Sequence, residues 1–299
     1  MPMNTHPAIA VHLHLYYAEM WGTIRDYLKN LEDYPYRLFV TMVKKAPELA
    51  QEIRNFHADT KFYLVENRGY DVGPFVHVLN QIEPEDYEFI LKIHTKNDNS
   101  RKASWCNILY ISRWTWAHLL LRAVLGAKEQ VRANIETLRR HPQIGMIGAA
   151  NLIIRKPEDM PVVERGAREL LAQFGFPNQR YEFVAGTMFI ARSAIFRKIK
   201  DTLTLSDFEE SAGSGSDGTL AHVMERVFGG LTLALGYNIQ GVRRSLAYEL
   251  AQPYGRFVRL WGRFVRFTFQ KKITRRNRVI IKMFKIPVYY SFIGKAERR

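Results

Sequence analysis

Two hydrophobic periods take turns through the first hundred residues. The stretch "AIAVHLHLYY" is short, apolar and partly β-branched, "EMWGTIRDYLKNL" sets Met20, Ile24, Tyr27, Leu28 and Leu31 at helical spacing, and "YRLFVTMV" returns to a strand-like run. A helical pattern over "APELAQEIRNF", a strand at "KFYLVE", a helix from about Pro74 to Gln81 and a strand at "YEFILKIHT" continue the series. Strands separated by helices pair most readily as parallel neighbours, because each helix carries the chain back to the starting edge of the sheet. The alternation predicts an α/β fold, a mostly parallel sheet with helices on both faces. Its first half, residues 1–104, reads as a doubly wound nucleotide-binding unit.

The second half, residues 105–250, is less regular. From Trp105 to about Arg140 the pattern is helical, "HPQIG" stops it, and "IGMIGAA" reads as a buried strand. "EFVAGTMFIARSAIF" reads as a strand running into a helix start. "DFEESAGSGSDG" is a glycine- and serine-rich acidic loop leading into "TLAHVMERVFGGL", where Leu220, Val223, Met224, Val227 and Phe228 form one apolar stripe.

Charge separates a third segment. Residues 251–299 carry 14 Lys and Arg against the single acid Glu297, so +13 of the net +15 lies there. The remaining 250 residues are close to neutral, which argues against a general nucleic-acid-coating surface and for a basic tail with its own partner. The start of the chain lacks the basic and apolar pattern of a signal peptide, and no window of about 18 apolar residues offers a membrane span, so a cytoplasmic protein is expected. The lone Cys106 permits no internal disulfide and reads as a packing residue.

In open α/β sheets ligands bind beyond the carboxyl ends of the strands. After "KFYLV" come Glu66, Asn67, Arg68, Gly69, Tyr70 and Asp71, and after "YEFILKI" come His94, Thr95 and Lys96. A helix beginning near Gly73 would aim free N–H groups at an anion, with Arg68 and Lys96 adding full charges, which suits a diphosphate. Alternatively Asn67 and Gly69 make a turn, Asp71 caps the helix, and His94 to Lys96 form a solvated turn. His12 and His14 alternate on a strand and read as core or interface histidines. No other cluster has metal-ligand spacing, so no metal is expected. Among the acids Asp207, Glu209, Glu210 and Asp217, the last stands just before a helix, where a carboxylate can approach a substrate hydroxyl.

"ENRGYDVGPF", "ILKIHTK", "FVAGTMFIAR" and "DGTLAHVMERVFG" occur in the order of motifs of the rhamnan synthesis protein F family, and over roughly residues 10–235 the chain resembles these bacterial glycosyltransferases of rhamnose-rich polysaccharides. The resemblance implies the glycosyltransferase A-type architecture, with a catalytic domain over 1–250 and the 105–250 half facing the acceptor. It implies inverting transfer from a nucleotide sugar, dTDP-rhamnose in this family, to a hydroxyl of a growing glycan. Many A-type transferases hold a divalent cation at the strand end where this chain has His94, Thr95 and Lys96. Lys96, with Arg68, would here replace the metal in stabilising the leaving diphosphate, so no cofactor is expected. Asn67 and Asp71 would hydrogen-bond the nucleoside or sugar, while Gly186 and Thr187 of "AGTMF" would allow donor and acceptor to approach closely. Asp217 would be the general base, with Glu209 or Glu210 as fallbacks. His222, Glu225 and Arg226 would orient the base or diphosphate, or form an ion pair that holds their helix.

In the tail, Arg256, Arg259, Arg263 and Arg266 recur at helical spacing beside Phe257, Leu260, Trp261 and Phe264. Such a helix would lie on an anionic membrane and bring the enzyme to a lipid-linked glycan acceptor at the inner face of the cell membrane. It could also pack on the catalytic half. The rival class is a non-catalytic basic module for nucleic acid or membrane, because "RFVRLWGRFVRF" and "KKITRRNR" interleave cations and aromatics.

Overall fold

A computed structural model describes residues 8–96, 104–106, 109–111, 113–155, 161–177, 179–211, 218–242, 269–273, 278–284 and 286–292. The chain divides into two compact units, Met1–Lys102 with Ser112–Arg243, and Ala103–Ile111 with Arg244–Arg299.

The first unit begins with the expected alternation: β1 (Ile9–His14), α1 (Trp21–Leu28), β2 (Tyr36–Met42), α2 (Pro47–Phe56), β3 (Thr60–Leu64), α3 (Val72–Leu79) and β4 (Phe89–His94). After β5 (Ser104–Cys106) and β6 (Leu109–Ile111), which belong to the second unit, come α4 (Arg113–Leu125), α5 (Lys128–Arg140), β7 (Ile144–Ala149), β8 (Ile153–Ile154), α6 (Pro161–Gln173), β9 (Phe183–Val184), β10 (Phe189–Arg192), α7 (Leu220–Ala234) and β11 (Asn238–Val242). Seven strands form one sheet in the order β11-β7-β10-β4-β1-β2-β3. Its pairings are parallel except at β10, which runs antiparallel to both β4 and β7. This is the mixed, mostly parallel sheet expected of the glycosyltransferase A-type class.

Every residue of β1 and β4 is buried, so helices cover both faces of the sheet centre. Strand side chains alternate, which puts His12 and His14 on the α3 side, where the Phe75 ring lies 5.4 Å from His12. Val11 and Leu13 take the opposite side. Phe75, Phe189, Phe196 and Phe228 then meet at centroid distances of 5.3–6.3 Å and tie α3, β10 and α7 together. Truncating one such fully buried ring to Ala costs about 3–5 kcal/mol.

The structure departs from the sequence expectation in three places. The single helical pattern from Trp105 to Arg140 is a hairpin of β5 with β6, then two helices broken at Gly126, where a side chain would meet the Arg122 carbonyl at 2.4 Å. "EFVAGTMFIARSAIF" holds two strands, β9 and β10, separated by the tight turn 185–188, and the helix start is one 3-10 turn, Ser193–Phe196. In the tail, beyond the stretch 256–266 read as a helix, β12 (Phe269–Ile273), β13 (Arg278–Met283) and β14 (Ile286–Phe292) form an antiparallel sheet that the sequence reading did not assign. Runs such as "RVIIKM" favour strands because β-branched side chains fit a pleated surface. Arg256, Arg259, Trp261, Arg263, Phe264 and Arg266 lie outside the described residues. Among the described residues no helix is long and apolar enough to cross a membrane.

Candidate functional site

Parallel register sets His12 beside Lys92 and His14 beside His94, while β2 brings Thr41 beside His14. His12 Nε2 and His14 Nδ1 each lie 3.0 Å from Thr41 Oγ1. Both are buried core histidines. Burial pushes His12 well below its ordinary value and His14 down to about 4, so both are neutral at pH 7.

At the carboxyl end of β4 the same face carries a denser cluster. Lys92 is fully buried, and its ammonium donates to Asp71 Oδ2, to Thr187 Oγ1 at 2.9 Å and to the Thr187 carbonyl at 3.2 Å. The three donors of the ammonium are thereby satisfied. The Thr187 hydroxyl also donates to Asp71 Oδ2, and His94 Nδ1 lies 3.3 Å from that oxygen. Asp71 precedes α3 as its N-cap, yet its side chain makes no capping bond. Burial alone would raise the Asp71 carboxyl, but His94, Lys92 and Lys96 outweigh it and hold the group well below the usual carboxylate range. Burial also pushes His94 well below its ordinary value, which leaves Lys92 and Lys96 as the charges facing Asp71 at pH 7. Burial lowers Lys92 itself against the opposing pull of Asp71.

The 66–71 loop is zipped onto residues 208–211. Gly69 N donates to Glu209 O at 3.0 Å, Ser211 N to Asn67 O at 2.8 Å, Asn67 Nδ2 to Ser211 O at 3.1 Å and Tyr70 N to Ser211 Oγ at 2.8 Å. Arg68 joins Glu66 at 2.8 Å, Phe208 O at 3.0 Å and Glu210 at 3.3 Å. Val72 and Gly73 donate to Gly69 O, so the helix-start N–H groups expected to be free for an anion are already used. Gly69 has φ +64, and a side chain there would meet the Phe208 ring at 2.5 Å. This double restriction accounts for glycine at the centre of the motif.

The acids that follow are spread over separate tasks. Glu209 accepts from Leu220 N at 3.0 and 3.1 Å and so caps α7. Asp207 accepts from Thr204 N at 2.7 Å in its own capping turn, Glu210 is exposed against Arg68, and Asp217 lies outside the described residues. Glu225 accepts from Gly186 N at 2.6 Å and from Arg226, whose guanidinium sits 4.3 Å over the Phe183 ring. Burial raises the Glu225 carboxyl against the opposing pull of Arg226. His222 Nδ1 lies 2.7 Å from Thr219 Oγ1, with its ring 6.0 Å from that of Tyr70.

The fold therefore gathers Asp71, His94, Lys96, Gly186, Thr187 and Glu225, because Lys96 is close enough to act on both Asp71 and Glu225. Thr95 faces elsewhere and accepts from Tyr16 N at 3.1 Å and Tyr17 N at 3.0 Å, which pins the exit of β1. Lys92 is the site residue the sequence reading missed. Its signal was a lysine inside the apolar run "FILKIH", two residues from His94 and therefore on the same strand face. Among the described residues no three His, Cys, Asp or Glu converge as a metal site. Chemically the cluster offers an ionised carboxylate, neutral imidazoles, a hydroxyl and a strand-end cation, groups suited to hydrogen-bonding sugar or nucleoside hydroxyls and a phosphate.

Residues 2–237 match the family described as Rhamnan synthesis protein F. Two curated relatives, both called uncharacterized protein WxcX and from two strains of Xanthomonas campestris pv. campestris, are 28% identical over 255 residues, covering 83% of this chain and 35% of each relative. The chain thus spans about a third of the length of those relatives. Among solved structures, S. aureus TarS 1-349 in complex with UDP-GlcNAc is 14% identical over 80% of this chain and 60% of that one, with a TM-score of 0.38. Mannosyltransferase PcManGT from Pyrobaculum calidifontis in complex with GDP-Man and Mn2+ is 12% identical over 88% and 65%, with a TM-score of 0.35. Likenesses this distant assign neither a reaction nor a donor. The family match spans most of the chain, and this chain belongs to the rhamnan synthesis protein F family.

Proposed function

We propose that the chain is an inverting glycosyltransferase of polysaccharide synthesis that transfers rhamnose from dTDP-rhamnose to a lipid-linked glycan at the inner face of the cell membrane. The observation that carries the reading is the Asp71 carboxylate, held ionised beside His94 and Lys96 at the carboxyl end of β4, where α/β sheets bind nucleotides. Family membership supports the polysaccharide setting.

In this mechanism the acceptor oxygen attacks the anomeric carbon while the bond from that carbon to the diphosphate oxygen breaks, and the electron pair leaves with the diphosphate. Lys96 stabilises the growing charge. Arg68 already satisfies Glu66, Glu210 and a carbonyl, so it serves chiefly to hold the loop. The acceptor proton passes to a carboxylate, for which Asp217 is the candidate; Glu209 is committed to α7. Asp71 binds a donor hydroxyl, and His94, whose ring nitrogens are buried, acts through Asp71. Transfer proceeds without a metal.

The test is incubation of the protein with dTDP-rhamnose and a lipid-linked glycan, following dTDP release and the anomeric configuration of the product. Release of dTDP with inverted configuration, undiminished by a chelator, supports the reading. Retained configuration, or transfer only from other nucleotide sugars, overturns the corresponding part.

A further inference from the structure

We infer that Lys92 is a positioning residue: by occupying Asp71 Oδ2 it fixes the carboxylate so that Oδ1 is presented to the donor, and it locks the donor loop to the 185–188 turn. The inference rests on the donor-site reading above.

Every polar contact of Asp71 described above falls on Oδ2, from Lys92, the Thr187 hydroxyl and His94. The side chain is nevertheless 17% exposed, which leaves Oδ1 for a ligand. Lys92 belongs to neither loop. It rises from the middle of the sheet, fully buried, and spends all three donors on the residue that ends the first loop and on the residue at the centre of the second. The two segments share one backbone habit. Gly69 and Tyr70 have φ +64 and +54, and Gly186 and Thr187 have φ +88 and +49. A non-glycine residue in that region persists where its surroundings over-determine it, and Lys92 with Asp71 and Glu225 supplies that constraint on both sides of Thr187.

The role differs from general support of the core in one measurable respect. The groups facing Asp71 are Lys92 and His94 on β4, Lys96 beyond it, His12 and His14 on β1, Thr187 on the turn and Glu225 on α7. With Lys92 present the carboxylate stays ionised over the whole working range. Without it, the hold on the carboxylate against burial and Glu225 falls to His94 and Lys96 alone, and donor binding acquires a pH dependence that the intact protein lacks.

The experiment is titration of dTDP-rhamnose into the full chain, as wild type, Lys92→Met and Lys92→Gln, at pH 8, 7 and 6, with folding checked by thermal melting. Gln keeps a donor for Asp71 and Thr187 without the charge and stands in where Met does not fold. Expected are a flat profile for wild type, at least tenfold weaker binding for either variant at pH 7, and a further loss between pH 7 and 6. Wild-type binding matched by a folded variant at every pH overturns the role of Lys92 alone. Failure of wild type itself to bind overturns the donor-site reading together with this inference.

Discussion

Asp71→Asn should be strongly destabilising, and most of the loss should disappear when Lys92 is removed as well. In the native protein Lys92 has no exposed surface, and among the described residues Asp71 is the only counter-charge in direct contact with it. Replacing that carboxylate by an amide leaves a buried ammonium whose remaining hydrogen-bond partners are the Thr187 oxygens, with Glu225 and Lys96 acting on it without direct contact. Breaking one side of a buried pair costs about 3–5 kcal/mol, whereas replacing both charges by groups of similar shape is often near neutral. The double variant Asp71→Asn/Lys92→Met should therefore lie within about 2 kcal/mol of wild type, and the cycle should show a coupling of about 4 kcal/mol or more. Urea unfolding of the four proteins at pH 7.5, followed by far-UV circular dichroism, measures it. Losses that add to within about 0.5 kcal/mol, or an Asp71→Asn loss below about 1 kcal/mol, refute the buried-pair reasoning.

Four further outcomes follow from the same structure. His14 falls from 6.5 to about 4 on folding, so its contribution is complete above pH 6.5 and is lost as pH falls toward 4, roughly 3 kcal/mol in all; His14→Gln should flatten the stability profile across that interval. Gly69→Ala forces a side chain onto Phe208 in a left-handed backbone and should cost about 1–3 kcal/mol, while Gly175→Ala, with open space around it, should cost no more than its own backbone strain, as paired unfolding curves will show. Lys96→Ala should slow transfer by about a hundredfold, and a chelator should leave wild-type rates unchanged; rescue by manganese would contradict this. Deleting residues 255–299 should release the protein from anionic vesicles while activity on a short soluble acceptor persists, an outcome read by sedimentation at low and high salt.

The first half of the fold was legible because its strands and helices each carry a full period of pattern, from β1 through β4. Local pattern could not show that β10 runs against its neighbours, since the direction of a four-residue strand is set by the turn 185–188 and by where β4 and β7 lie. The three-residue strands β5 and β6 are too short to interrupt a helical reading, and β12 to β14 were absorbed into the charge pattern of the tail. At the site, the strand-end rule found Asp71, His94 and Lys96. It assigned Asp71 to either a ligand or a helix cap, and only the register of β1 with β4 and the return of Thr187 show the carboxylate turned toward Lys92. A lysine in an apolar strand carries no local signal of its partner. Glu209 was read as an acid of the loop and a fallback base, and its job as the cap of α7 needed the fold to bring it to Leu220.

The central claim is that the cluster at the end of β4 binds an activated sugar. Calorimetric titration of dTDP-rhamnose, UDP-GlcNAc and GDP-mannose into wild type and Lys96→Ala tests it most directly, because Lys96 is half-buried at the strand end and its replacement leaves the Asp71–Lys92 pair in place. The account predicts that dTDP-rhamnose binds wild type and binds Lys96→Ala at least tenfold more weakly, the scale of a charge-assisted contact to phosphate. Binding of none of the three sugars, or equal binding by both proteins, would contradict it.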